Sequence, residues 1–245
     1  MPGISKVPNL HNPDIVVRLA NSQEELRLAN TLVFRNYVQD GFWENDETQL
    51  ETNKYLHSLN RTVFVVLEKG ILIGTMSIIH DSPDGLPSDG TQKTLMQRLR
   101  AKDETLAEVS AFAMDRSKSS YRKLILFLMS YVLQYSFYYA GIDRFIASCK
   151  PEHANFYESV LCFSKVSDLT YYNYSHACGY LINLDLLEAH WLLSQKYPAD
   201  PATGQSLYRF LLCDPNPSQD FPQFLALKRP RNMNWVELSM RRTAA

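Results

Sequence analysis

A strong charge of either sign is the first thing this sequence lacks. Lys and Arg number 25 against 26 Asp and Glu, which leaves a net charge of −1 over 245 residues. A general nucleic-acid binder would carry a basic excess, so no nucleic-acid partner is expected. Cysteines are few, and Cys149, Cys162, Cys178 and Cys213 form no Cys-x-x-Cys pair. Three of them sit in apolar surroundings, which reads as reduced core thiols in a cytosolic protein. The six histidines make no His-x-x-x-His pair and join no Cys cluster, so no metal site is expected. No Gly-x-Ser-x-Gly elbow supports a serine hydrolase. The opening residues, MPGISKVPNLHNP, hold no apolar run that could act as a signal peptide, and a cytoplasmic location is expected.

Long apolar runs are missing as well. The longest charge-free stretch of interest, residues 124–140, has 17 residues, at the short edge of a bilayer span. Ser130, Gln134, Ser136 and four tyrosines interrupt it. It is expected to be a helix buried against a sheet, with no transmembrane segment.

What is present suits one large packed domain, with 45% hydrophobic residues. Residues 15–19 read as a strand. Asn21 or Ser22 then caps a helix with Glu24 and Glu25 in its first turn, where the helix dipole favours negative charge. Leu26, Ala29, Leu32, Val33 and Tyr37 form its apolar stripe, and Gly41 ends it. A second helix is expected over 50–58. Two apolar runs, 62–67 and 71–79, flank Lys69-Gly70 as an antiparallel hairpin. Residues 80–90 are a loop by their Pro, Gly and Asp content. A short basic helix (94–100), a central strand (105–114), a long helix (121–140), a strand (144–149) and a short helix (154–160) follow. Strands over 171–174 and 179–184 and a helix over 186–195 close the pattern. This order implies an α/β (α+β) protein with a mixed central sheet and helices on both faces. The expected organisation is an arm over 1–14, a domain over 15–197, and a C-terminal extension over 198–245 packed on that domain.

Charge is balanced in total but uneven along the chain. Residues 39–51 hold five carboxylates and no Lys or Arg, whereas residues 96–123 hold seven basic side chains against four acidic ones. Glu108 stands alone among apolar neighbours on the central strand, and burial there would raise its pKa toward neutrality. It is a candidate general base. The polar, basic turn over 115–123 joins that strand to the long helix, an arrangement that offers backbone N–H groups to an anion.

Asn155-Phe156-Tyr157 followed by Leu161-Cys162-Phe163 resembles the N-x-x-x-x-F-Y-x-x-x-G-F signature of the GNAT acyltransferase superfamily, with Cys162 where glycine usually stands. The segments GTMSIIHDSPDGLPSD (74–89), AEVSAFAMD (107–115) and CKPEHANFYESVLCF (149–163) resemble the long-chain N-acyl amino acid synthases, relatives of the acyl-homoserine-lactone (autoinducer) synthases. The resemblance covers about residues 15–185. It implies a GNAT fold and transfer of a long-chain acyl group from acyl carrier protein to the α-amine of an amino acid. Glu108 would act as base through a water. Tyr157 would protonate the departing thiolate, a plausible transfer for a phenol of pKa about 10 and a thiolate of about 8.5.

Acetyl-CoA enzymes of this fold carry an R/Q-x-x-G-x-G/A loop whose glycines admit a pyrophosphate. Here residues 115–123 contain no glycine. The implied donor is therefore the 4′-phosphopantetheine arm of acyl carrier protein, with acyl-CoA as the alternative. Ser110, Ala111, Phe112, Arg116, Lys118, Ser119 and Arg122 are the expected donor-binding residues. Carrier proteins are acidic, and Arg98, Arg100, Lys102 and Lys123, together with Arg116, Lys118 and Arg122, would complement them. Phe112, Phe127, Met129, Phe145 and Phe163 could line an acyl slot or simply belong to the core. For the acceptor, Arg35 and Trp43 match positions the lactone synthases use. Arg35 could take the amino acid's carboxylate, Asp40 or Glu44 its ammonium, and His153 could line the site. The lactone synthases have E-x-S-R-F where this chain reads Glu108-Val109-Ser110-Ala111-Phe112, and losing that Arg favours a plain amino acid over S-adenosylmethionine. The alternatives are a CoA-dependent N-acetyltransferase acting on a small amine, and a non-catalytic module of the same fold.

Overall fold

Alternating apolar residues bury Ile15 and Val17 of the first strand, β1 (Ile15–Leu19). Ser22 then caps α1 (Gln23–Gln39), its hydroxyl accepting the Glu25 N–H, while Glu25 also pairs with Arg18 on β1 at 2.5 Å. The computed structural model describes residues 14–117, 121–172 and 177–214. After a short α2 (Thr48–Thr52) come β2 (Arg61–Glu68) and β3 (Ile71–His80). They turn at Lys69 and Gly70, both at positive φ (51° and 78°), as a twisted two-residue hairpin demands. Then follow α3 (Asp89–Arg100), β4 (Leu106–Met114), α4 (Tyr121–Tyr135) with one π turn (Ser136–Ala140), and β5 (Arg144–Cys149). The chain continues with α5 (Pro151–Leu161), β6 (Ser164–Lys165), β7 (Thr170–Tyr172), β8 (Ala177–Asp185), α6 (Leu186–Lys196) and α7 (Leu207–Leu212).

The sheet runs β1-β2-β3-β4-β5-β8-β6, with β7 beside β8. Among the described residues only the β4–β5 pair is parallel. Helix α1 covers one face, against β2, β3 and β4, and α4 covers the other, against β1 and β2. The charge-free stretch is thus a core helix, as expected. Leu124, Phe127, Leu128, Tyr131 and Val132 are fully buried, each such side chain contributing roughly 1.5–3 kcal/mol. Two of its polar interruptions have partners, since Ser130 Oγ and Gln134 Nε2 both donate to the Phe210 carbonyl on α7, whereas Ser136 Oγ is buried without a hydrogen-bond partner among the described residues. The described part of the C-terminal extension is held to α4 in this way, with Phe127 and Phe210 stacked edge-on at 5.1 Å. Among the described residues no helix is long and apolar enough to cross a membrane.

Among the differences from the sequence expectation, three concern α2, α3 and β6. The second helix stops at Thr52 instead of reaching 58, because Asn53 is extended and its side chain accepts the Tyr55 N–H, a local bond that competes with helix. Helix α3 begins five residues early with a kink at Gln92, whose side chain donates to Thr170. Strand β6 is too short to leave a sequence signal. Cys162, at the usual glycine of the signature, caps α5 in the left-handed conformation (φ 61°) that glycine favours.

Candidate active site

Strands β4 and β5 pair from Leu106↔Arg144 to Val109↔Ala147, and there the pairing stops, although both strands continue. A parallel pair that parts in mid-course leaves backbone groups and side chains facing a notch. Ser110 and Ala111 on one side, and Ser148 and Cys149 on the other, line a cavity of about 380 Å³. A β-bulge deepens it: Ala111 and Phe112 together oppose Met76, with Ala111 at φ 50°. Tyr37 of α1 reaches this bulge, where its oxygen meets the backbone N–H groups of Ala111 and Phe112. Burial pushes its phenol up to about 12.

Glu108 lies on the cavity wall, 2% exposed. Ser88 holds both its oxygens, the backbone N–H donating to Oε2 at 2.9 Å and the hydroxyl to Oε1 at 2.8 Å. Burial raises its pKa to about 7, against the opposing pull of those two bonds. A carboxylate poised near neutrality, with one edge on a cavity, has the properties of a general base. Ser88 is placed by a loop that Arg100 secures, its guanidinium forked onto Asp81 (2.7 Å) and Asp89 (2.6 Å).

The cavity also holds a cation. Arg61, the first residue of β2, stands opposite Ile79, which in turn stands opposite Glu108, so the three side chains share one face of the sheet. Arg61 Nε donates to Ser77 Oγ, and Nη1 to Asn30 Oδ1 and the Leu56 carbonyl. Its Nη2 is buried and has no hydrogen-bond partner among the described residues. Burial lowers its pKa to about 10, leaving it charged at neutral pH. The remaining wall is largely apolar and aromatic, with Val33, Phe42, Trp43, Tyr55, Leu56 and Tyr172 among its residues, and Lys150 beside Phe42.

Of the residues expected from sequence, the structure brings Glu108, Ser110, Ala111 and Trp43 to this cavity. Trp43 is wedged against Phe34 and Tyr37. Several expectations are corrected. Arg35, Glu44 and His153 are exposed and do not line the cavity. Arg35 lies on α1 two residues from Tyr37, a spacing that turns it to a different side of the helix. Asp40 and Arg116, expected at opposite substrates, bond each other through both oxygens at 2.7 and 2.6 Å, so each charge neutralises the other. Tyr157 packs edge-on with Phe156 and Phe163 and is not on this cavity's wall, whereas Tyr37, Tyr55 and Tyr172 are. Phe112 packs with the core beneath α4.

Phe127, Met129, Phe145 and Phe163 are likewise core residues. Arg100, expected at the docking surface, forms the loop clamp on Asp81 and Asp89. Arg98 and Lys102 are exposed where α3 leads into β4, and Lys123 is exposed past the other end of that strand, about 26 Å along it. They do not make one patch. Lys118, Ser119, residues 1–13 and residues 215–245 lie outside the described residues, as does the side chain of Arg122.

Arg61, Ser88, Tyr37 and Tyr172 were missed from sequence. Only Arg61 left a trace, as an isolated cation at the head of an apolar strand.

A family model described as N-acyl amino acid synthase FeeM matches residues 29–185. Among solved structures, FeeM, an N-acyl amino acid synthase from uncultured soil microbes, is similar with a TM-score of 0.65 and 30% identity. That match covers 74% of this chain and 97% of the other. A spermidine N-acetyltransferase from Vibrio cholerae, solved with CoA and spermine, gives 0.47 and 19% over 73% of this chain and 99% of the other. No curated protein matches the chain.

Proposed function

Because the chain belongs to the FeeM family of N-acyl amino acid synthases and is a GNAT-fold acyltransferase, we propose that it joins a long-chain acyl group, delivered as an acyl-carrier-protein thioester, to the α-amine of an amino acid. The observation that carries this reading is Glu108: a buried carboxylate, fixed by Ser88, on a cavity at the point where β4 and β5 part.

The amine attacks the thioester carbonyl carbon, a C–N bond forms as the C–S bond breaks, and the products are an amide and a free thiol. The attacking nitrogen must lose a proton, which Glu108 accepts through a water. The departing thiolate must gain one, from a phenol. Tyr157, the residue implied by the signature, and Tyr172, on the cavity wall, are the two contenders. An extended pantetheine arm suits the notch between the parted strands, where backbone groups are available to an added strand-like segment. The absence of glycine from the sequence over 115–123 supports a carrier-bound donor over CoA, since the stretch lacks the residues that admit a pyrophosphate.

The test is direct. The purified protein, given a long-chain acyl thioester of acyl carrier protein and a mixture of the twenty amino acids, should release N-acyl amino acids detectable by mass spectrometry. It should use the same chain on CoA at least tenfold less efficiently. No acyl amino acid from either donor refutes the reaction, and equal use of both refutes the donor assignment.

A further inference from the structure

The apolar interior of an acyl-transfer site has no obvious use for a buried guanidinium. Leaving one there without a carboxylate is expensive, and structures pay that cost rarely. Arg61 is in this position: it lines the cavity, makes no ion pair among the described residues, and buries an Nη2 with two N–H groups and no acceptor. Its other nitrogens are fixed by Ser77, Asn30 and the Leu56 carbonyl, so Nη2 has a set direction.

From these observations we infer that Arg61 is the anchor for the acceptor's α-carboxylate, and that it makes the site selective for amino acids over plain amines. The inference rests on the proposed reaction. The sheet supplies the spacing. Arg61, Ile79 and Glu108 form one row across β2, β3 and β4, two strand separations or about 10 Å between the outer Cα atoms. The long Arg side chain and the shorter Glu side chain both extend over this face. An α-amino acid, whose carboxylate and amine flank a single carbon, fits between them with its carboxylate on Nη2 and its nitrogen toward Glu108. Ile79, in the middle of the row, offers only an apolar floor between the two charges. Arg35, the exposed residue that the sequence suggested for this role, cannot make this contact from outside the cavity.

The experiment compares amino acids with their carboxamides, which keep the amine and lose the charge. With wild-type protein and a fixed acyl-carrier-protein thioester, the best-used amino acid should show a KM roughly tenfold to a hundredfold below that of its amide, the worth of a hydrogen bond to a charged group. Arg61→Gln should raise KM for the acid by a similar factor, leave KM for the amide nearly unchanged, and change kcat little. Arg61→Lys should recover part of the loss. Equal wild-type KM for acid and amide overturns the inference even if no Arg61 variant folds. So does an Arg61→Gln enzyme that affects acid and amide alike. A wild-type protein that acylates no amino acid removes the proposed reaction itself, and the anchor with it. One that acylates amino acids without regard to the carboxylate removes the anchor alone.

Discussion

Replacing Glu108 by Gln separates its chemistry from its packing better than any other substitution in the site. Two donors meet the carboxylate, the Ser88 N–H and the Ser88 hydroxyl. A glutamine can turn its carbonyl oxygen to the N–H and its NH₂ to the hydroxyl, which accepts as readily as it donates. The buried cluster therefore stays satisfied, and the fold should tolerate the change. The proton acceptor is gone. A positioned general base contributes about 10²–10⁴ in rate, so kcat should fall by that factor, or about 2.7–5.5 kcal/mol in barrier.

The pH profile adds an independent signature. With Glu108 titrating at about 7, wild-type kcat should drop about tenfold per unit below that pH as the base becomes protonated. In Glu108→Gln that limb should vanish, while any inflection from the amine substrate remains. Single-turnover measurement of acyl amino acid across pH 5.5–9 reads both effects. A variant with kcat within threefold of wild type, or one that keeps the inflection near 7, would refute the base assignment.

Four further outcomes are expected. Glu108's folded pKa is raised from 4.5 to about 7, so its contribution to stability is full at low pH and is lost as pH climbs through that interval, about 3 kcal/mol in all. Urea titrations should thus show Glu108→Gln gaining on wild type by about that amount between pH 4.5 and 8; a pH-independent difference would contradict it. Ser88→Ala removes one hydrogen bond that favours the ionised form, and should move the kcat inflection up by about one to two pH units. An unmoved inflection would show that Ser88 does not tune the carboxylate. Arg100→Met should lower kcat by loosening the loop that carries Ser88, yet leave KM for acyl carrier protein unaltered. A selective rise in that KM would restore Arg100 to the docking surface. Tyr157→Phe and Tyr172→Phe, compared on donors with good and poor thiol leaving groups, should differ: the true proton donor is the one whose loss is worst with the more basic thiolate.

Much of this was legible in one dimension. The strand periodicities, the Ser22 cap, the two-residue turn at Lys69-Gly70 and the charge-free helix each reflect local rules, and each is found in the structure. Glu108 stood out for the same reason, since a lone carboxylate in an apolar strand is costly unless it has a task. The acceptor side was not legible. Arg35 was expected from its likeness to a position in the lactone synthases, and Asp40 or Glu44 as a carboxylate for the ammonium, but helical geometry turns Arg35 to solvent, and Arg116, 76 residues away, captures Asp40.

Arg61 shows the physical reason most clearly. Counted back from the hairpin turn without interruption, Arg61 would stand opposite Ile78 and face away from Glu108. An irregularity between Val66 and Leu67 places an extra residue, Ile73, in β3, and the Ile73 carbonyl accepts the N–H of Asp115 just beyond β4. That shift of one residue exchanges the faces of the strand, because side chains alternate with period two. The sequence by itself determined which segments are strands and helices and which carboxylate lies in the core. Only the tertiary structure, through one bulge paid for by a contact with a strand more than thirty residues distant, decided that a cation shares its cavity.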